Sequence, residues 1–169
     1  MAKKLKILIF PDPRLRKVAE NVTKFDKCLE NLAHDMLETM YDANGIGLAA
    51  TQVDQHIRLV VMDLSEERNE PRIFVNPMYE VIKGHNMFEF EEGCLSIPGF
   101  NEVIARPDKI KLIWQNLKGE TLHDTPEGML TVCIQHEIDH LDGKLMVDYV
   151  SALKRDRIKS KLLKEFKRF

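Results

Sequence analysis

A chain of 169 residues, 44% apolar and 31% charged, is long enough to bury a core and too evenly mixed to be disordered or fibrous. No apolar run approaches the roughly 20 residues needed to span a bilayer. The stretch behind Met1-Ala2-Lys3-Lys4 is only Leu5 to Phe10, broken by Lys6 and followed by Pro11-Asp12-Pro13, which does not fit a secretory leader. The expectation is therefore one domain over 1–169, located in the cytoplasm with no membrane contact. Cys28, Cys94 and Cys133 are odd in number and far apart, which points away from a disulfide framework and toward metal binding, catalysis or burial. The net charge of −2 hides an asymmetry. Residues 151–169 hold eight Lys or Arg against Asp156 and Glu165, a local +6, so the first 150 residues carry −8.

In chain order, Leu29, Leu32, Ala33, Met36, Leu37 and Met40 form one apolar stripe at helical spacing. Asp26 is placed to cap that helix and Asn44-Gly45 to stop it. Segments 57–64, 72–75, 78–82, 87–90, 103–105 and 109–115 have strand character, with turns at 83–86 and 117–119. A second helix is expected to begin near Thr125, with Pro126 at its first position, and to run through His140 to Gly143. A third, from about Ser151, carries Leu153, Ile158, Leu162, Leu163 and Phe166. A helix, several strands and then helices is an α+β order.

The chemistry begins at His136-Glu137-Ile138-Asp139-His140. Histidines four apart on a helix are separated by about 6 Å of rise on one face, so both imidazoles can reach one ion. Glu137 lies beside them, placed to meet a water on that ion without ligating it. The opposite face, Ile134, Ile138 and Leu141, is apolar and suited to the core. A bare pair of histidines is common on half-buried helices; the intervening Glu and the apolar back favour metal. For a third ligand there are four candidates. Glu165 lies far downstream, as in peptidases that draw a Glu from a later helix. Cys133 shares the face but sits a turn below His136 on too short a side chain, which favours a small core residue. Cys28, within the first helix, is read the same way. Cys94 lies in Glu92-Gly93-Cys94-Leu95-Ser96-Ile97-Pro98-Gly99, a loop in which a thiolate makes a soft ligand.

At these residues the chain resembles the peptide deformylases of the bacterial type. Three motifs appear in the family's order: Gly45-Ile46-Gly47-Leu48-Ala49-Ala50-Thr51-Gln52, Glu92-Gly93-Cys94-Leu95-Ser96 and Gln135-His136-Glu137-Ile138-Asp139-His140. Pro11 to Arg16 and Leu141 to Leu153 are also family-like, so the resemblance covers nearly the whole chain. It implies antiparallel or mixed sheets packed around a central metal-binding helix, with one helix before and one after. It further implies metal ligands Cys94, His136 and His140, with Glu137 as base and then acid. Gln52 and the Leu95 N–H would steady the oxyanion. Gly45, Ile46, Gly47, Gly93, Ile97, Met129, Val132 and Cys133 would receive the substrate. Glu92 and Arg106 would form a supporting ion pair, and Asp139 would either orient a ligand or cap surface.

The implied reaction is removal of the formyl group from N-formyl-methionyl nascent peptides, releasing formate. The implied cofactor is one Fe²⁺ per chain, although two imidazoles and a thiolate suit zinc, and Zn²⁺, Ni²⁺ or Co²⁺ are expected substitutes in purified protein. Asn101 stands where many relatives have Arg, and Met129 and Thr131 also depart from the commoner pattern, which bears on rim and pocket shape. The basic last helix, through Lys154, Arg155, Lys159, Lys161, Lys164 and Arg168, is expected to touch ribosomal RNA. A monomer is expected, since no spare apolar stripe remains.

Overall fold

Asp26 caps α1 (Lys27–Asp42) as expected, its carboxylate accepting from the Leu29 N–H at 3.1 Å in a computed structural model that describes residues 1–166. Leu29, Ala33, Met36, Leu37 and Met40 turn one buried stripe inward. Asn44 takes a positive φ of 56° to end the helix. Cys28 is exposed rather than a core residue, because it sits on the first turn away from that stripe.

The chain then builds two antiparallel sheets. Strands β1 (Gly47–Ala49), β2 (Leu59–Met62), β3 (Arg72–Val81), β6 (Ile110–Gln115) and β7 (Thr121–Asp124) form one, in the order β1-β2-β3-β6-β7. The hairpin of β4 (Met87–Gly93) and β5 (Asn101–Pro107) forms the other. Two expected strands, 72–75 and 78–82, are one strand interrupted at Asn76-Pro77. The register with β6 slips there, and Asn76 adopts φ 50°. The Asn76 amide holds this bulge, bonding Val22 through its N–H and carbonyl and reaching Gln115.

Every residue of β2 is fully buried, so the strand has a helix on each face. Val60 and Met62 join Phe74, Ile110 and Leu112 under helix α2 (Met129–Leu141), against Ile134, Ile138 and Leu141. Leu59 and Val61 face the α1 stripe. A third core joins Ile97 and Ile104 to Ile158 and Leu162 of α3 (Ala152–Phe166). At about 25 cal/mol per Å², such burial is the main force holding the helices to the sheets.

Helix α2 starts at Met129, four residues later than Thr125. Gly128, at φ 61° and ψ −135°, breaks the path from Pro126, and Thr131 Oγ1 donates back to the Pro126 carbonyl at 2.6 Å. Its far end is fixed by Gly143, where a Cβ would lie 2.5 Å from the Arg16 carbonyl oxygen. Among the described residues, no helix is long and apolar enough to cross a membrane.

Candidate metal centre

Helix α2 reaches β1 with one face and leaves His136 and His140 pointing at the end of β4. There Gly93 hands over to a tight turn, closed by the Ile97 N–H on the Cys94 carbonyl at 3.0 Å. This turn aims the Cys94 thiol back at the helix. One donor atom each from Cys94, His136 and His140 lies within 4.8 Å of the others, and Cys94 Sγ is 3.3 Å from His140 Nε2. It is the one such group of three among the described residues. The alternative Glu165 is exposed on α3 and is not part of it. Two imidazoles and a thiolate from two chain segments are a donor set for a single transition metal, with coordination room left over.

Behind His136 stands a buried chain of charge. His136 Nδ1 meets Glu92 Oε1 at 2.7 Å, leaving Nε2 free to face Cys94 and His140. Arg106 binds both oxygens of Glu92, at 2.6 and 2.9 Å, and continues to Asp139 at 2.9 Å. Burial opposes ionisation of Glu92, but bonds from His136 and Arg106 outweigh it and hold the carboxyl below its ordinary range. Burial, aided by the neighbouring His136, pushes His140 well below its ordinary value and keeps it a neutral imidazole, the form a metal ion could bind. Asp139 is buried rather than capping surface, and it bonds Arg106, which in turn holds the Glu92 that meets His136.

Replacing Arg106 with Met leaves Glu92 and Asp139 buried without their cation. The expected cost is about 3–5 kcal/mol. In a chain of this size it appears as a fall of about 6–20 °C in the midpoint of a thermal melt.

Glu137 also lies on the inner face, and its Oε2 is buried with no hydrogen-bond partner. Burial pushes its pKa up to about 7. A Cβ on Gly47 would lie 2.7 Å from Glu137 Oε1, so the glycine makes room for this carboxylate. Across the gap Gln52, held by the Ala49 N–H on Oε1 at 2.9 Å, points its amide at Ser96 Oγ (3.0 Å) and Cys94 Sγ (3.8 Å). Among the described residues, no hydrogen bond engages the Leu95 N–H. An orphaned carboxylate oxygen beside three converging donors is the environment of a metal ion with a polar companion.

These groups floor a cavity of about 390 Å³. Gly45, Ile46, Gly47, Gly93, Ile97, Met129, Val132 and Cys133 all line it, with Gln52, Leu95, His136 and Glu137. Burial pushes the Cys133 thiol up to about 12, so it is an apolar wall. Thr131 does not reach the cavity.

Residues 4–156 match the family model for polypeptide deformylase. The chain belongs to the polypeptide deformylase family. A peptide deformylase of Pseudomonas aeruginosa is 55% identical over 161 residues, covering 95% of each chain. The crystal structure of a Legionella pneumophila peptide deformylase superposes with TM-score 0.88 at 46% identity, over 98% of this chain and 96% of that one. An Ehrlichia chaffeensis peptide deformylase, solved in complex with actinonin, superposes at 0.91 with 36% identity, over 97% and 98%. As a deformylase the chain is a hydrolase of the metal-dependent kind.

Sequence reasoning about this deformylase missed several of its cavity residues, among them Asn44, Phe90, Pro98 and Phe100. Phe90 was within reach: it alternates with Glu92 along β4, so it shares that residue's inward face. Ser96, the partner of Gln52, carried no signal beyond its place in the motif. Tyr149, which touches Asp139, carried none beyond its place in the family-like stretch Leu141 to Leu153.

Proposed function

We propose that this chain removes the formyl group from the N-terminal formyl-methionine of newly made proteins, releasing formate. The observation that supports it most is the convergence of Cys94, His136 and His140 beside the unpartnered Glu137 oxygen. A divalent ion held by those three residues would supply Lewis acidity, bringing the pKa of a water near neutral and polarising the formyl carbonyl. The family resemblance favours Fe²⁺, with Zn²⁺, Ni²⁺ or Co²⁺ as substitutes. Glu137 takes the proton of the attacking water and returns it to the departing amine, a task suited to a carboxylate whose burial lifts it toward neutrality. The Gln52 amide and the free Leu95 N–H donate to the oxygen on which charge builds.

Methionine is the expected guest of the apolar wall formed by Ile46, Ile97, Met129, Val132 and Cys133. Gly45, Gly47 and Gly93 allow the peptide backbone to approach closely and pair as an added strand. Asn101, beside Gly93 at the cavity rim, offers an amide to the residues after methionine. The protein is proposed to act as a monomer in the cytoplasm.

The deciding experiment is formate release from formyl-Met-Ala-Ser by protein purified anaerobically. Activity that disappears on chelation and returns with Fe²⁺ is the expected result. Release of free amino acids from Met-Ala-Ser without formate would instead mark a peptidase.

The basic α3 helix is proposed to dock on ribosomal RNA through Lys154, Arg155, Lys159, Lys161 and Lys164; Arg168 lies outside the described residues. Phosphate contact of this kind weakens steeply with salt. Removing the residues after Ser151 is expected to abolish salt-sensitive co-sedimentation with ribosomes. Unchanged co-sedimentation would exclude this helix as the contact.

A further inference from the structure

Tyr149 lies in the short turn Met146–Tyr149 that leads into α3, outside every motif. Its ring is about half exposed, yet its hydroxyl turns inward and donates to Asp139 Oδ2 at 2.6 Å. Arg106 Nη1 donates to the same oxygen at 2.9 Å, and the guanidinium carbon lies 5.0 Å from the centre of the Tyr149 ring. The other edge of that guanidinium grips Glu92, which meets His136 Nδ1. Four contacts thus run from a half-exposed phenol to an imidazole of the metal centre.

A guanidinium is planar and rigid, so holding both edges and one face fixes its plane. Glu92 holds one edge, Asp139 the other, and the Tyr149 ring covers the face. Tyr149 therefore acts on Arg106 directly, through its ring and a long 3.5 Å bond that its hydroxyl accepts from Nη1, and indirectly by orienting Asp139. Apart from Arg106, the phenol is the only donor on the Asp139 carboxylate among the described residues. Without it, Asp139 draws more heavily on Arg106, and the grip of Arg106 on Glu92 loosens.

We propose that Tyr149 is a positioning residue for the metal centre: through Asp139, Arg106 and Glu92 it fixes the His136 ring with Nε2 directed at the ion. This rests on the reading that Cys94, His136 and His140 hold that ion. The lost hydroxyl of a Tyr149→Phe variant removes no core volume, so a packing role and a positioning role separate cleanly.

The test is cobalt(II) titration of metal-free protein, followed by its thiolate charge-transfer and d–d absorption. Partners that orient a ligand typically contribute about 10–100-fold in metal affinity. Tyr149 is three links further out along this path, and Tyr149→Phe is expected to weaken cobalt binding by about 3–10-fold with a shifted d–d band. In the cobalt enzyme kcat should fall while KM for formyl-Met-Ala-Ser holds. In a Glu92→Gln background, which cuts the chain of contacts, adding Tyr149→Phe should change affinity no further. Unchanged affinity and spectrum in Tyr149→Phe overturn the proposal, as does a full additional loss in the Glu92→Gln background. A wild type without a thiolate–cobalt band overturns the metal reading itself, and this proposal with it.

Discussion

Glu137→Gln is expected to keep its metal and lose formate release by about 10²–10⁴-fold, the range ascribed to a positioned proton carrier. The substitution preserves shape, so the gap beside Gly47 stays filled. It removes only the capacity to accept and return a proton. Metal content and kcat, measured on the same preparation, check it; near-normal turnover would assign the proton to another group. The same pair of proteins has a second signature when metal-free. Burial raises Glu137 from 4.5 to about 7 in the folded chain. A carboxyl raised on folding adds stability below its unfolded pKa, and that increment is lost as pH rises through its folded value. Between pH 5 and pH 8 the wild type should therefore lose melting temperature relative to Glu137→Gln. For His136, bonds to Cys94 and Glu92 and the Glu137 charge outweigh burial and raise it, so the comparison reads the coupled His136–Glu137 pair.

Cys94→Ala is expected to release the ion and abolish activity together. Two imidazoles alone remain, and each ligand lost from a set of three removes much of the affinity. The fold should survive, because Cys94 is only partly buried and its turn is closed by backbone. Metal analysis after dialysis, with a melt of the metal-free protein as control, checks this. A variant retaining metal and activity would require a different third ligand, and Glu165, exposed on α3, is poorly placed to be one.

The centre was legible because its signals are local and chemical. His136, Glu137 and His140 fall on one helix whose geometry fixes their spacing, and Cys94 sits in a glycine-flanked turn. The α+β order and the α1 stripe followed from periodicity alone. What escaped depends on tertiary neighbours. β7 is exposed along its length and has no alternation to betray it. β1 has three residues, too few for a pattern, and exists because β2 pairs with it. The start of α2 was misjudged because Pro126 is a good first helical residue, while the positive φ at Gly128 decides otherwise. Cys28 was placed in the core from residue type, against its position on the helix. Tyr149 was invisible, since its significance lies in an oxygen ten residues upstream.

The two sheets share no strand pairing, so little backbone joins the β4–β5 hairpin to the rest of the molecule. Beside the third apolar core, the hairpin is joined to α2 by side chains of opposite charge, Glu92 and Arg106 on the hairpin with His136 and Asp139 on the helix. An ion between Cys94 and the two histidines would be a rivet across the same seam, closing a loop of about forty residues much as a disulfide does. Because it binds only the closed form, its free energy of binding is also free energy of docking for the hairpin. Holding the reactive ion and holding the two halves of the protein together are then one act.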